Sequence, residues 1–467
     1  MLIWSEYNTL FHAEPYGHFL YNPMSNCLIE LDQAHVELVE QCRSGGSWND
    51  NEGDSAFVEL LHEQHMLVHP GENDKLLMRE QYRRNCNSYG HRDIAMTICP
   101  TFACNFHCDY CFERTQGNTT VMSDQTIDQL VAFIDQRACR RSVRIDWYGD
   151  EPLLAFERIE RITSELGKRG IGIEEAQLIT NGYLLTPAII DRLNALNIQV
   201  VQITLDGPRH IHDTRRTLQN GHGSFDRILD NIDRLMNSSY EGQCMLRVNI
   251  DKRNMAAYPE LYRMLQERYS GKNVTVYGSR VKAVDMNYQL SMKEWVDFCL
   301  RLYWEEGIST KFMFYPKMHS KGLCIAHYRN AFVAGPQGEL YKCWEDVGCS
   351  DKEIGNVNNS DPLSNEELSM LYMAGTDHYG QKECLACRFL PICANSCPKA
   401  RLEKLSASSG AHTPDTCTHF KEHLVDMLLV VYDEYLSAET AALLLDKTVY
   451  PLKEQGYRVI FPSEPLC

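Results

Sequence analysis

Within the stretch CNFHCDYCF, Cys104, Cys108 and Cys111 place three thiols at spacings of four and three. Thiolates are ligands for soft metals, and three of them can hold three irons of a [4Fe–4S] cluster while the fourth iron stays open to a small molecule. A structural zinc asks for four closed ligands, so this loop reads as a cluster site with one coordination position left for something other than protein. A second crowd of cysteines follows. Cys324 is separated by thirteen residues from Gly338 and that glycine by four from Cys343; then come Cys384, Cys387, Cys393 and Cys397 as C-x2-C-x5-C-x3-C, and finally Cys417. A C-x2-C pair alone is also a zinc pattern. Cys27, Cys42, Cys86, Cys99, Cys139, Cys244, Cys299 and Cys467 are scattered and read as small hydrophobes or surface thiols. Nineteen cysteines in a chain with no secretory signature are expected as thiols or ligands rather than disulfides.

The elements around the first loop explain its place. From residue 92 strands alternate with helices. The strand candidates are DIAMTIC, VRIDWYG, EAQLITNG, VVQITLDG, MLRVNID and NVTVYGSRV. Between them lie helical patterns such as SDQTIDQLVAFIDQR, with Ser123 as N-cap, FERIERITSELGKRG and TPAIIDRLNALN. Six β–α units in succession imply a parallel sheet, too short for an eight-fold barrel, hence an open partial (β/α)6 barrel over 92–309. The three-cysteine loop directly follows its first strand, and loops at the carboxyl ends of parallel strands carry reactive groups. Residues 1–72 read as a winged-helix pattern: HFLYNP and NCLIELD flank a turn, and DQAHVELVEQC and DSAFVELLHEQHMLV are helical. Residues 73–91 are a charged linker. Over 310–435 the strand signal fades and cysteines take over; 436–467 is a tail, helical at first.

Composition narrows the function. A formal charge of −17 argues against a nucleic-acid partner, which needs a basic face. No segment is long and apolar enough to span a bilayer, and the start lacks a secretory signal, so a cytoplasmic location without membrane is expected.

C-x3-C-x2-C with an aromatic at Tyr110 resembles the signature of radical S-adenosylmethionine enzymes. The resemblance implies that the open iron binds the amino and carboxylate groups of S-adenosylmethionine, and that an external one-electron donor, flavodoxin or ferredoxin-like, reduces the cluster. WYGDEP resembles the family's GGEP loop, which implies cosubstrate contacts from Gly149, Asp150, Glu151 and Pro152; the second glycine is replaced here by Asp150. TNG places Thr180 and Asn181 where the family contacts ribose. LDGPRHIHDTRR resembles peptide-modifying members and implies a cosubstrate role for Arg216. VNID places Asn249 near the expected adenine. The seven-cysteine pattern resembles a SPASM domain with two auxiliary [4Fe–4S] clusters, three in all. Cys384, Cys387, Cys393 and Cys417 are then expected to close one cluster. Cys324, Cys343 and Cys397 are expected to hold the other, its fourth ligand left open between Cys349, His327 and a substrate thiolate.

The winged helix resembles the recognition element that binds the leader of a ribosomally made precursor peptide (RiPP), with strand addition at the hairpin Phe19–Leu31 as the docking mode; a plain packing or dimerisation module is the other reading. The expected function is a peptide maturase that abstracts hydrogen and forms an intrapeptide cross-link, thioether or carbon–carbon. Oxidation of a Cys or Ser on a client protein, as in anaerobic sulfatase maturation, shares every barrel and SPASM motif. A non-catalytic electron carrier is a third class, and it does not account for the ordered loops. The sequence names no general base, and Asp206 in LDG reads as a turn carboxylate.

Overall fold

The computed structural model describes residues 1–45, 55–90, 94–113, 118–282, 287–309, 316, 324–393, 397–406, 417–445 and 456–460. It divides into two compact units: residues 1–90, 299–327 and 374–467 form the first, and residues 91–298 and 328–373 the second.

In the first unit, strands β1 (Ile3–Trp4), β2 (Thr9–Ala13), β3 (Gly17–Asn22) and β4 (Cys27–Leu31) precede helices α1 (Gln33–Arg43) and α2 (Ser55–Glu63). Then come β5 (Leu67–Val68) and α3 (Glu72–Tyr89). Asp32 caps α1 by accepting the His35 N–H at 2.9 Å, satisfying one of the orphan donors of a helix start. The apolar faces of the sheet and of both helices meet in one core containing Leu20, Ile29, Val39, Phe57 and Leu61. The stretch 73–91, expected as a linker, is mostly α3, because Leu76, Glu80 and Arg84 fall four apart on one buried face and Arg84 pairs there with Asp377 at 3.0 Å. The hairpin expected as a docking edge lies inside the sheet. The strand order is β17-β4-β3-β2, where β17 (Tyr457–Ile460) comes from the tail and takes the outer side of β4. Among the described residues the edge strands of this sheet are β2 and β17. Phe420–Leu445 is helical.

The second unit carries a nine-stranded sheet in the order β13-β12-β10-β9-β8-β6-β14-β15-β16. Its parallel part includes β6 (Ile94–Ile98), β8 (Ser142–Trp147), β9 (Gly172–Thr180), β10 (Ile198–Thr204), β12 (Gln243–Ile250) and β13 (Val274–Arg280). The chain is α/β, and the six strands with their intervening helices form the partial barrel that the sequence implied. Ser123 does cap the helix Asp124–Arg137, accepting the Thr126 N–H at 3.1 Å. Along β12 every second residue, from Cys244 to Ile250, is buried, which turns Arg247 and Asn249 to the opposite face. Beyond 310, where the strand signal fades, β14 (Ala331–Ala334) pairs parallel with β6 and is followed by β15 (Glu339–Tyr341) and β16 (Gly355–Asn356). These strands have only two to four residues, too few for a periodicity to register.

Candidate active site

The loop after β6 is pinned before it reaches its cysteines. Met122 N–H bonds to the Pro100 carbonyl at 2.9 Å and Phe102 N–H to that of Thr120 at 2.9 Å. Beyond Cys104 the chain forms a short strand, β7 (Phe106–Cys108), which pairs antiparallel with β11 (Arg216–Leu218) so that Cys108 faces Arg216. This register ties the cysteine loop to the loop after β10, a link that sequence spacing does not show.

Glu151 joins the next two loops. It is fully buried. Its Oε1 accepts Thr180 Oγ1 at 2.7 Å and Leu153 N–H at 3.0 Å, and its Oε2 accepts Asn181 N–H at 2.8 Å. Burial lifts its pKa, and these three donors pull it back. The Glu151 N–H bonds to the Ala103 carbonyl at 3.1 Å, and Asn181 Nδ2 donates to Asn105 Oδ1 at 2.8 Å. Gly149 has φ of 102°, and a Cβ there would stand 3.0 Å from Cys99 Cβ and 3.1 Å from the Thr101 oxygen. Only glycine fits that turn. Pro152 opens a buried 3-10 turn directly after Glu151. Asp150 turns its carboxyl toward Glu113, whose pKa is pushed well up by burial and by the Asp150 charge. Two carboxyls so placed share a proton.

Tyr110, between the second and third cysteines, is the centre of a second network. Its hydroxyl accepts from Arg216 Nη1 at 2.8 Å and from Asn249 Nδ2 at 3.2 Å. Burial opposes the charge of Arg216, but Tyr110, Cys108 and Asp206 hold it protonated well above the ordinary range. Asp206 is not a simple turn residue: it is fully buried, accepts the Asn249 N–H at 3.3 Å and lies 3.4 Å from Arg215 Nε. Arg215 also reaches Asp251 at 2.9 Å, and Arg253 joins Asp251 to Asp109 on the cysteine loop. The Asp206 N–H donates to His212 Nδ1 at 3.2 Å, so His212 Nε2–H donates to Ser224 Oγ at 3.0 Å. Burial and the two arginines keep His212 neutral. Asp206, Arg215, Asp251 and Asn105 escaped the sequence reading because their partners lie on other strands.

Residues 98–265 match the model of the Radical SAM superfamily. This chain carries a radical SAM domain. It is 23% identical over 340 residues to the serine-type anaerobic sulfatase-maturating enzyme of Bacteroides thetaiotaomicron, a match covering 64% of this chain and 81% of that one. It is 24% identical over 266 residues to the radical SAM cyclopropyl synthase TigE of Paramaledivibacter caminithermalis, covering 51% of this chain and 56% of that one. In fold it is similar to anSMEcpe solved with bound AdoMet and Cp18Cys peptide. That match has a TM-score of 0.55 at 17% identity, over 74% of this chain and 99% of that one.

The residues present fit the radical SAM cofactors. Burial pushes the Cys104, Cys108 and Cys111 thiols up, Cys111 to about 12, so each stays protonated until a metal's charge takes its place. Among the described residues no three cysteine sulfurs lie within 4.8 Å of one another, as three ligands of one zinc ion would. Arg216 Nε and Asn105 Nδ2 are buried donors with no hydrogen-bond partner among the described residues, beside the loops that would face a cosubstrate.

The first unit holds Cys384, Cys387, Cys393 and Cys417; Arg401 Nη2 is 3.6 Å from the Cys384 sulfur and Lys421 Nζ 3.2 Å from that of Cys417. Cys324 and Cys397 belong to the same unit, Cys343 to the second. Of the fourth-ligand candidates, Cys349 is buried in the second unit, and His327 is buried in the first with its ring 3.5 Å from Thr376 Oγ1.

Proposed function

We propose that this enzyme matures a peptide: it takes a hydrogen from a ribosomally made precursor and leaves an intrapeptide cross-link, thioether or carbon–carbon. The observation that carries the reading is the amino-terminal module. An antiparallel sheet with an open β2 edge, backed by two amphipathic helices, suits capture of an extended leader by strand addition. When bound, S-adenosylmethionine and a [4Fe–4S] cluster on Cys104, Cys108 and Cys111 supply a 5′-deoxyadenosyl radical. The chain's own work is placement. Glu151 locks the loops after β8 and β9 to the cysteine loop. Thr180, Asn181 and the Gly149–Pro152 turn line the cosubstrate side, Asp150 with its carboxyl drawn to Glu113. Tyr110, Arg216 and Asn249 hold the far side, with Arg216 Nε free to meet an anionic group.

Cys384, Cys387, Cys393 and Cys417, and Cys324, Cys343 and Cys397, would hold two further clusters, which would supply an acceptor for the leftover electron or a binding point for a substrate sulfur. A flavodoxin- or ferredoxin-like donor in a reducing cytoplasm supplies the first electron. Neither nucleic acid nor membrane enters the reading: the charge is −17, and no described helix is long and apolar enough to cross a bilayer.

A second reading has its own support. The sulfatase-maturating relative matches over 81% of its length, which favours oxidation of a Cys or Ser on a client protein. Anaerobic incubation with reductant, S-adenosylmethionine and a leader-bearing precursor separates the two. Cross-linking gives peptide-dependent 5′-deoxyadenosine and a product lighter by two hydrogens, and it stops when the leader is cut off. An unchanged mass, or the gain of a methyl, overturns it. Turnover of a short leaderless Cys or Ser peptide favours the second reading.

A further inference from the structure

The sequence HEQHMLVHPGE, outside the barrel and its cysteines, brings His62, His69 and Glu72 together. His62 lies in the last turn of α2, His69 just past β5, and Glu72 at the first position of α3. One ring nitrogen from each histidine and one carboxylate oxygen all lie within 4.8 Å of one another. His62 Nε2 is 3.7 Å from Glu72 Oε2, too long for a hydrogen bond, and it is buried without a partner among the described residues. The carboxylate is itself fixed, because Oε2 accepts the His69 N–H at 2.7 Å. The two rings stand 5.1 Å apart and steeply inclined, at 76°, so they are not stacked for their own sake. Three electron-pair donors therefore converge on one point.

We propose that this triad binds one divalent transition-metal ion of the zinc class. Two imidazoles and a carboxylate are the donor set that class prefers. A tetrahedral ion with ligand bonds of about 2.1 Å holds its ligands about 3.4 Å apart, close to the 3.7 Å already present between His62 and Glu72. His69 is exposed, so water completes the coordination from the solvent side. The ion clips the end of α2 to the start of α3 across β5, a brace for the amino-terminal module. Neither the barrel chemistry nor the proposed cross-link depends on it.

The test uses the full chain with its iron–sulfur clusters reconstituted anaerobically, so that the cluster cysteines are occupied. Co2+ is the optical probe, and Zn2+ competes against a chromophoric chelator. The expected result is one equivalent bound, with visible d–d bands and no near-ultraviolet thiolate charge transfer. His69→Ala and Glu72→Gln each weaken binding at least 10- to 100-fold, while melting of the metal-stripped variants matches wild type and shows that the fold is intact. Thiolate charge-transfer bands, no bound equivalent, or equal affinity in correctly folded variants overturns the proposal.

Discussion

Replacing Glu151 by glutamine isolates the tie between the loops after β8 and β9. The native carboxylate receives three donors: Thr180 Oγ1 and Leu153 N–H on one oxygen, and Asn181 N–H on the other. A glutamine must put an NH2 at one of these two places. The threonine hydroxyl can rotate to accept, but either placement leaves a backbone N–H, of Leu153 or of Asn181, facing another donor. Losing a hydrogen bond to a charged acceptor costs about 1.5–3 kcal/mol, and a buried unsatisfied donor a similar amount. The two overlap, because they describe the same N–H. Against them, a neutral amide escapes the desolvation that lifts the Glu151 pKa. A net loss of about 2 kcal/mol follows, which for a unit of this size lowers the melting temperature by about 4–8 °C.

The assay is anaerobic calorimetry of wild type, Glu151→Gln, Thr180→Val and the double variant, with S-adenosylmethionine affinity measured by equilibrium dialysis. Because the two side chains share one hydrogen bond, the double variant should fall short of the sum by about 0.5–3 kcal/mol. Affinity should drop in Glu151→Gln even below its melting range, since the Thr180–Asn181 loop loses its anchor. A variant melting within a degree of wild type, or strict additivity, refutes the tie.

Tyr110→Phe removes the acceptor for Arg216 and Asn249, leaving a buried guanidinium short of one partner; about 2–3 kcal/mol of stability is lost, seen as a lower urea midpoint at constant m. Glu113 gives a pH signature. Its folded pKa is raised by burial and by Asp150 above an unfolded value of about 4.3. Its contribution is therefore full at pH values below that and lost as pH climbs through the raised value. Wild type should lose melting temperature across this window, and Glu113→Gln should show a flatter profile; identical slopes would remove the shared proton. Alanine at Cys104, Cys108 or Cys111 should delete one cluster's iron and all S-adenosylmethionine cleavage. Alanine at Cys384, Cys387 and Cys393 together should leave the first cluster's electron paramagnetic resonance signal in place.

The barrel was legible because its strands are long and apolar: five or more residues with turns between them leave a period that a sequence carries by itself. The first-loop cysteines were legible for a related reason, since their spacing is local. What stayed hidden depends on pairing between distant segments. β17 has four residues and no pattern of its own; it is a strand because β4 offers it an edge, and this is why the hairpin at Phe19–Leu31 looked open when it is not. α3 looked like a linker because its buried face is Leu76 with Glu80 and Arg84, charged residues that count as surface until Asp377, nearly three hundred positions away, supplies the partner.

The same division runs through the candidate site. Single loops announce chemistry through their residue types, but their relative placement rests on four ties that cross the barrel: Glu151 to Thr180 and Asn181, Asn105 to Asn181, β7 to β11, and Tyr110 to Arg216 and Asn249. Together the ties join the cysteine loop, or the loop beside it, to the end of β9, to the segment after β10 and to the end of β12. A cosubstrate held at the cysteine loop is thereby placed against all of them at once. Radical chemistry needs that, because a reactive centre that drifts by an ångström meets the wrong carbon. On the proposed function, selection of the hydrogen removed belongs to the rigidity of these cross-ties. It follows that Tyr110→Phe and Glu151→Gln should loosen regiochemistry, with additional peptide products, before either abolishes S-adenosylmethionine cleavage.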